Sequence, residues 1–219
     1  MEGFFLKKQN IFLTFIIPII AVIALLVVQA LCDLELPSYT SDIINNGIQQ
    51  GGIDNTLPEV LTTKMFNGIA KISKESSAIM ASYDLFVSEN LSNQDLEELG
   101  KQYPLIKEED LYLLNDLTEE ERKIVEEEIK VPLLITTMLY TNNENIAKSL
   151  NLQIPEGSTL LDEVLKLDEE TFNTVISSIE QSIKSMDNMV LDQYAISGIK
   201  SIYNEIGMDM NQYQINYII

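Results

Sequence analysis

A long apolar stretch lies near the start of the chain. Residues 11–32 read IFLTFIIPIIAVIALLVVQALC and include no charged side chain. At about 1.5 Å of rise per residue, a helix over this range is about 33 Å long, enough to cross a hydrocarbon core of about 30 Å. Pro18 lies early in the stretch, and membrane helices tolerate proline better than soluble helices do. The pattern therefore predicts one N-terminal transmembrane helix.

Charges at the ends of this stretch predict its orientation. Lys7 and Lys8 precede the first apolar residue of the span, Ile11, and acidic residues follow its last residues, around Leu31. Because cytoplasmic flanks carry the excess of lysine and arginine, we expect residues 1–10 in the cytoplasm and the rest of the chain outside. The predicted location is the plasma membrane, with the main domain extracellular.

Two other targeting signals compete with a permanent span. Val28, Gln29 and Ala30 could precede a signal-peptide cleavage site, but the apolar stretch exceeds the length of about 7–15 residues that such peptides have. Cys32 could be a lipoprotein cysteine, but Leu31 is bulky where that signal has a small residue. An uncleaved helix is the better interpretation.

Apolar residues recur at helical spacing after the membrane segment. Tyr39, Ile43 and Ile48 predict an outward helical extension over 33–52, which the glycine pair before Ile53 ends. Residues 53–219 then form a separate domain, which we expect to be helical throughout or mostly so. Alternating patterns of β-strands are scarce, so the predicted fold class is mainly α.

Several positions in this domain have the residues that begin or end helices. Pro58 predicts a helix start, and Pro132 predicts a kink or an end in the helix that begins after Thr118. The run 131–140 is too short to span a membrane and predicts a buried core segment. The predicted caps are Ser92, Thr118 with Glu121, Asp168, Asp187 and Gly207.

The amino-acid composition excludes several classes of catalytic and metal site. The chain has 219 residues, no His, a single Cys and a formal net charge of −20. Without histidine, Ser-His-Asp triads and HExxH zinc sites are excluded, and one cysteine excludes CxxC motifs. The acidic charge disfavours nucleic acid as a partner. No GxxxxGK[ST] motif occurs, so we expect no P-loop hydrolysis of nucleotide by this chain, and no enzyme activity.

The acidic clusters have a structural interpretation and a chemical one. The runs 107–110, 119–121 and 126–128 lack the spacing of a calcium loop, so solvated helix faces are expected. Paired carboxylates for hydrolysis stay open, since carboxylates are abundant and no pair stands out. Gln29 and Asp33 are candidates to line a transport path, although placement at the headgroup level explains them better. The sequence predicts no catalytic residue, cofactor site or metal site.

The stretch QALCDLELPSYTSDIINNGIQQGGI resembles the first membrane helix and its outward extension in ABC exporters with six-helix transmembrane domains. A later stretch resembles the end of a large extracellular insertion between the first and second membrane helices in a bacterial subgroup. The first motif comprises Gln29, Ala30, Asp33, Leu36, Pro37, Ser41, Asp42, Ile43, either Asn45 or Asn46, Gly47 and Ile48. The second comprises Ala195, Ile196, Ile199, Lys200, Tyr203, Gly207, Asp209, Asn216, Tyr217 and Ile218.

The resemblance implies the transmembrane and extracellular part of an exporter driven by ATP. ATP and Mg would bind the full-length parent rather than this chain, which ends at Ile219, where a second membrane helix would begin. Its implied partners are membrane lipid, a second transporter half in a homo- or heterodimer, and a transported substrate of unknown identity. The alternatives are a stand-alone membrane-anchored binding or sensor module and, more weakly, a secreted enzyme freed by signal cleavage.

Overall fold

The chain divides into two units, Met1–Asn45 and Asn46–Ile219. A computed structural model describes residues 22–30, 50, 52–141, 146–147, 153–184 and 186–213. In the first unit, residues 22–30 are helical and every side chain is exposed. The rest of the predicted membrane helix and nearly all of the predicted extension lie outside the described residues.

The described residues were also compared with the requirements for crossing a bilayer. Among them, no helix combines the necessary length with the necessary apolar character.

The second unit combines helices with one small antiparallel sheet. Its strands are β1 (Val60–Thr62), β2 (Tyr83–Phe86) and β3 (Leu111–Leu114), in the order β1-β3-β2. Its described helices are α1 (Thr63–Ile72), α2 (Ser77–Ser82), α3 (Asn93–Gln102), α4 (Glu119–Tyr140), α5 (Leu160–Leu165), α6 (Glu169–Ile183) and α7 (Asn188–Ile206), with 3₁₀ turns at Ser88–Asn90 and Pro104–Lys107. The predicted mainly α fold is confirmed, and the sheet is an addition to it.

The predicted helix start near Pro58 is wrong. Val60–Thr62 form β1 instead, with Leu61 opposite Tyr112 of β3, and all three residues are buried. The helix α1 begins five residues after Pro58, where the Thr62 hydroxyl accepts a hydrogen bond from the Met65 amide. Pairing with a distant strand outweighs the local helical pattern here, since each buried backbone group needs a partner.

The starts of α3, α4, α6 and α7 and the end of α7 follow the predicted caps. Ser92 and Asp168 each accept a hydrogen bond from the amide three residues on, and Asp187 accepts one from Met189. Thr118 and Glu121 form the reciprocal capping box before α4. Gly207 ends α7 with a φ of 83°, a left-handed conformation that glycine adopts without strain. These five predictions are confirmed because capping depends only on neighbouring residues.

Pro132 does not end α4, which runs on to Tyr140. Proline removes one backbone donor, and the carbonyl that loses this donor belongs to the exposed residue Glu128, where water can replace it. Pro132 and most of the residues after it are buried, as predicted for the run 131–140. The burial of this half of α4 compensates for the missing hydrogen bond.

The long helix α4 is the centre of the domain core. It contacts α1, α2, α5, α6 and α7, and most of its apolar side chains from Val125 onward are almost fully inaccessible to solvent. Two small residues allow close approach to it: Gly68 of α1 faces Thr136, and Gly198 of α7 faces Thr137. The helices around α4 hold the sheet and the two ends of the domain in place.

Candidate functional site

The structure describes only a few of the residues that predict the membrane topology or that make up the first family motif. Gln29 lies in the helix 22–30 and is exposed. Lys7, Lys8, Ile11, Leu31, Asp33, Pro37, Asp42 and Gly47 lie outside the described residues. The hypothesis that Gln29 and Asp33 line a transport path therefore stays a prediction.

The second motif is described as far as Asp209, and several of its residues are structural. Ala195, Ile199 and Tyr203 are buried on the face of α7 that packs into the core. The Gly207 position lies against Pro104, and Asp209 accepts hydrogen bonds from the amides of Asn211 and Gln212. These positions therefore determine how the end of the domain folds.

Tyrosine side chains converge where the two ends of the domain meet. The Glu59 amide, just before β1, donates a hydrogen bond of 2.7 Å to the Tyr203 hydroxyl of α7. The Tyr213 hydroxyl donates to a carboxylate oxygen of Glu59 at 3.0 Å, and the Tyr83 hydroxyl donates to the Pro58 carbonyl at 2.7 Å. We call Glu59, Tyr203 and Tyr213 the tyrosine joint.

Both tyrosines of the tyrosine joint are hydrogen-bonded to Glu59. The Tyr203 hydroxyl accepts from the Glu59 amide, and the Tyr213 hydroxyl donates to the Glu59 carboxylate. The two rings also meet edge to face, with centroids 5.6 Å apart. Glu59 therefore connects the segment before β1 both to α7 and to the residues that follow α7.

The acid–base properties of these tyrosines indicate a structural role. Burial raises the pKa of Tyr203 and Tyr83 well above the ordinary value, and burial with the nearby Glu59 carboxylate raises that of Tyr213. Burial and Glu59 also raise the pKa of Tyr103 to about 12. The hydroxyls therefore stay protonated at neutral pH, and they serve as hydrogen-bond partners rather than as nucleophiles or general bases.

A second group of ionisable side chains gathers around the C-terminal end of α4. The Tyr140 hydroxyl donates a hydrogen bond to Glu205 of α7, and Glu109 lies near the same carboxylate. The Lys64 ammonium is 3.1 Å from Asp162 and 5.6 Å from the centre of the Tyr140 ring. We call these five residues the acidic cluster.

The surroundings raise some pKa values in the acidic cluster and lower others. Partial burial and the nearby carboxylate of Glu205 raise the pKa of Glu109, although Lys64 acts in the opposite direction. Burial and the hydrogen bond to Glu205 raise the pKa of Tyr140. Burial alone would raise the pKa of Asp162, but hydrogen bonds from Thr159 and the contact with Lys64 outweigh it and lower the pKa. Glu109 is thus the carboxyl group whose ionisation opposes folding.

We expect Glu109→Gln to stabilise the protein slightly at neutral pH. A carboxyl group with a raised pKa in the folded state binds its proton more tightly there, so its contribution to stability falls as the pH rises through that pKa. The gain should be about 0.2–1 kcal/mol at pH 7, the scale of exposed charge pairs, and should vanish in acid, where Glu109 is protonated in both states.

Melting temperatures measured between pH 3 and pH 8 test this expectation, with Glu108→Gln as the control. Glu108 is exposed, and its replacement by glutamine removes the same charge one residue away from Glu109. An equal gain for both variants at every pH would show that only net charge matters and that the repulsion between Glu109 and Glu205 has no effect.

The predicted acidic runs are more than solvated faces. Glu126 accepts hydrogen bonds from the amide and hydroxyl of Thr56, which ties the segment before β1 to α4. Asp110 accepts from the amide and hydroxyl of Ser88 and so fixes the first 3₁₀ turn. Sequence reasoning missed these contacts because each joins residues far apart in the chain. In the part of the chain that the structure describes, no group of His, Cys, Asp and Glu has the arrangement of a metal site.

An open groove lies at the C-terminal end of α1. Lys71 lies over the Phe172 ring, with its ammonium 4.5 Å from the ring centre, and Lys74 and Glu75 line the same groove. Lys74 and Glu75 have φ angles of 56° and 55°, which non-glycine residues rarely adopt. The Glu75 amide bonds to the Ala70 carbonyl at 2.8 Å, so this backbone conformation serves to end the helix.

Comparison with known proteins adds no family to this description. Searches with protein-family models, among curated proteins and among solved structures found no match to the chain.

Proposed function

We propose that this chain is the N-terminal part of an ABC-type exporter. In this proposal residues 11–32 form the first membrane helix, residues 33–52 extend it outward, and the helical domain from residue 53 lies outside the cell. The full-length parent would couple ATP hydrolysis, in a nucleotide-binding domain with Mg, to efflux of a substrate. The proposal rests on the two motifs given above and on two features of the structure.

The observation that carries the proposal is the meeting of the two ends of the domain. Asp54 lies close enough to Tyr213 to raise its pKa electrostatically, and Glu59 is hydrogen-bonded to Tyr203 and Tyr213. A domain inserted between two consecutive membrane helices must receive and return the chain at the same place. Domains whose ends are close together accommodate this arrangement without distortion.

The helix 22–30 gives independent support. Its large apolar side chains, among them Val22, Leu25 and Val28, are between 54% and 68% exposed, so none is packed within its own unit. A helix that is apolar on all sides needs an apolar environment around it, either a protein core or lipid. With Lys7 and Lys8 before the apolar stretch, a bilayer with the N-terminus in the cytoplasm satisfies this requirement.

Cysteine labelling on intact bacterial cells tests the topology. The one native cysteine is removed by Cys32→Ser, and Asn173→Cys then introduces a thiol on the exposed surface of α6. We expect a membrane-impermeant maleimide to label this thiol on intact cells. The matched variant Gln9→Cys, in the predicted cytoplasmic segment, should be labelled only after the membrane is permeabilised.

The opposite labelling pattern, or recovery of the chain in the aqueous phase with its first residues removed, would overturn the proposal. A stand-alone membrane-anchored binding module would give the same labelling as the exporter. The meeting of the chain ends favours the exporter, because a module tethered at one end has no need of it. The DNA after codon 219 separates the two: an in-frame apolar segment indicates the exporter, and an immediate stop codon indicates the module.

A further inference from the structure

The segment Pro58–Glu59 is held by three different elements. The Pro58 carbonyl accepts from Tyr83 of β2, the Glu59 carbonyl accepts from the Leu114 amide of β3 at 2.9 Å, and the Glu59 amide donates to Tyr203 of α7. The sheet therefore anchors this segment whether or not the tyrosine joint is closed. The tyrosine joint adds hydrogen bonds from the same segment to α7 and to the residues that follow α7.

That connection depends on two hydrogen bonds to Glu59. Tyr203 is 1% exposed and comes from the core, whereas Tyr213 is only partly buried and lies beyond the end of α7. Loss of the Tyr213 hydroxyl would leave the Glu59 carboxylate short of one partner and would remove the bond that reaches beyond α7.

We propose that the tyrosine joint is a latch that keeps the two ends of the domain together and can open without unfolding the core. The closed latch fixes the distance between the segment before β1 and the segment after α7. Opening it releases Tyr213 from Glu59, while α7 stays packed on α4, with Ala195, Ile199 and Ile202 buried. If the proposed function holds, the closed latch makes the domain follow both neighbouring membrane helices as one body.

Spin labels at the two ends measure the latch directly in the full chain. The labels are attached through Asp54→Cys and Asn211→Cys in a Cys32→Ser background, and the protein is held in detergent micelles; both positions are exposed. We expect a single narrow distance distribution for this parent. Tyr213→Phe, which keeps the ring and removes the hydroxyl, should broaden the distribution and add longer distances.

Two further variants make the comparison specific. Tyr194→Phe removes an exposed hydroxyl from the same helix α7 and should leave the distribution unchanged. Tyr203→Phe should also broaden it, because this variant removes the other hydrogen bond that the joint makes to Glu59. Hydrogen exchange at the Glu59 amide should be about 2- to 10-fold faster in Tyr203→Phe, the scale of one lost hydrogen bond.

Identical distributions for Tyr213→Phe and Tyr194→Phe, with native far-UV circular dichroism in both, would overturn the latch. That result does not depend on membrane topology. Cysteine labelling can therefore reject the exporter while the latch stands, and the spin labels can reject the latch while the exporter stands.

Discussion

Replacing Ile129 by alanine is expected to lower the free energy of unfolding by about 2–5 kcal/mol, the range for large-to-small substitutions in a well-packed core. Ile129 is fully buried in α4, the helix against which α1, α2, α5, α6 and α7 all pack. Alanine leaves a cavity there because helices fixed on several sides cannot collapse into it. Urea denaturation of the full chain in mild detergent, followed by far-UV circular dichroism, measures the loss.

Ile124→Ala is the matched control for this prediction. Ile124 lies in the same helix and undergoes the same chemical change, but its side chain is 52% exposed. We expect its effect to stay within about 0.5 kcal/mol, as for most surface substitutions. Equal losses for the two variants would contradict the placement of Ile129 at the centre of the core.

The same contrast explains which parts of the fold the sequence predicts. Helix ends are predictable where a side chain satisfies a backbone group three residues away, as Ser92, Thr118 and Asp168 do. The buried face of α6 is equally predictable, because Phe172 and Ile179 follow the helical period. Each of these signals is complete within about one helical turn of the chain.

The strands could not be predicted from the sequence because each pairs with a strand that is distant along the chain. β1 is only three residues long and its side chains are all buried, so it lacks the alternation of apolar and polar residues that marks a strand. Its partner β3 begins at Leu111, about fifty residues further on. Nothing near Val60 distinguishes a short buried strand from the first turn of a helix.

The tyrosine joint could not be predicted from the sequence for the same reason. Its hydrogen bonds join Glu59 to Tyr203 and Tyr213, which lie 144 and 154 positions further along the chain. The resemblance to the end of an exporter insertion singles out Tyr203, but it says nothing of the partner of that residue. The fold brings the partners together, and only then does the meeting of the two chain ends become evident.

The helix contact at Gly198 leads to the second large expected effect. A β-carbon at this position would lie 2.8 Å from Cγ2 and 3.0 Å from Cβ of Thr137, both closer than carbon atoms normally approach. The helices α7 and α4 would have to move apart, which costs about 1–3 kcal/mol for overpacking of this kind. Alanine favours a helix over glycine by about 1 kcal/mol, so the strain exceeds the gain only if the contact is rigid.

Gly198→Ala is therefore expected to destabilise the protein, whereas Gly100→Ala in α3 is expected to be neutral or stabilising. The added carbon at Gly100 would meet only the end of the flexible Lys107 side chain, which can move aside. Thr137→Ala in the Gly198→Ala background removes Cγ2 and Oγ1 of Thr137, which would lie 2.8 and 2.9 Å from the added carbon, and should restore part of the lost stability. Urea denaturation of the four variants, including Thr137→Ala alone, measures this coupling. Additive effects at Gly198 and Thr137 would mean that the two helices do not meet there, because only residues in contact couple in this way.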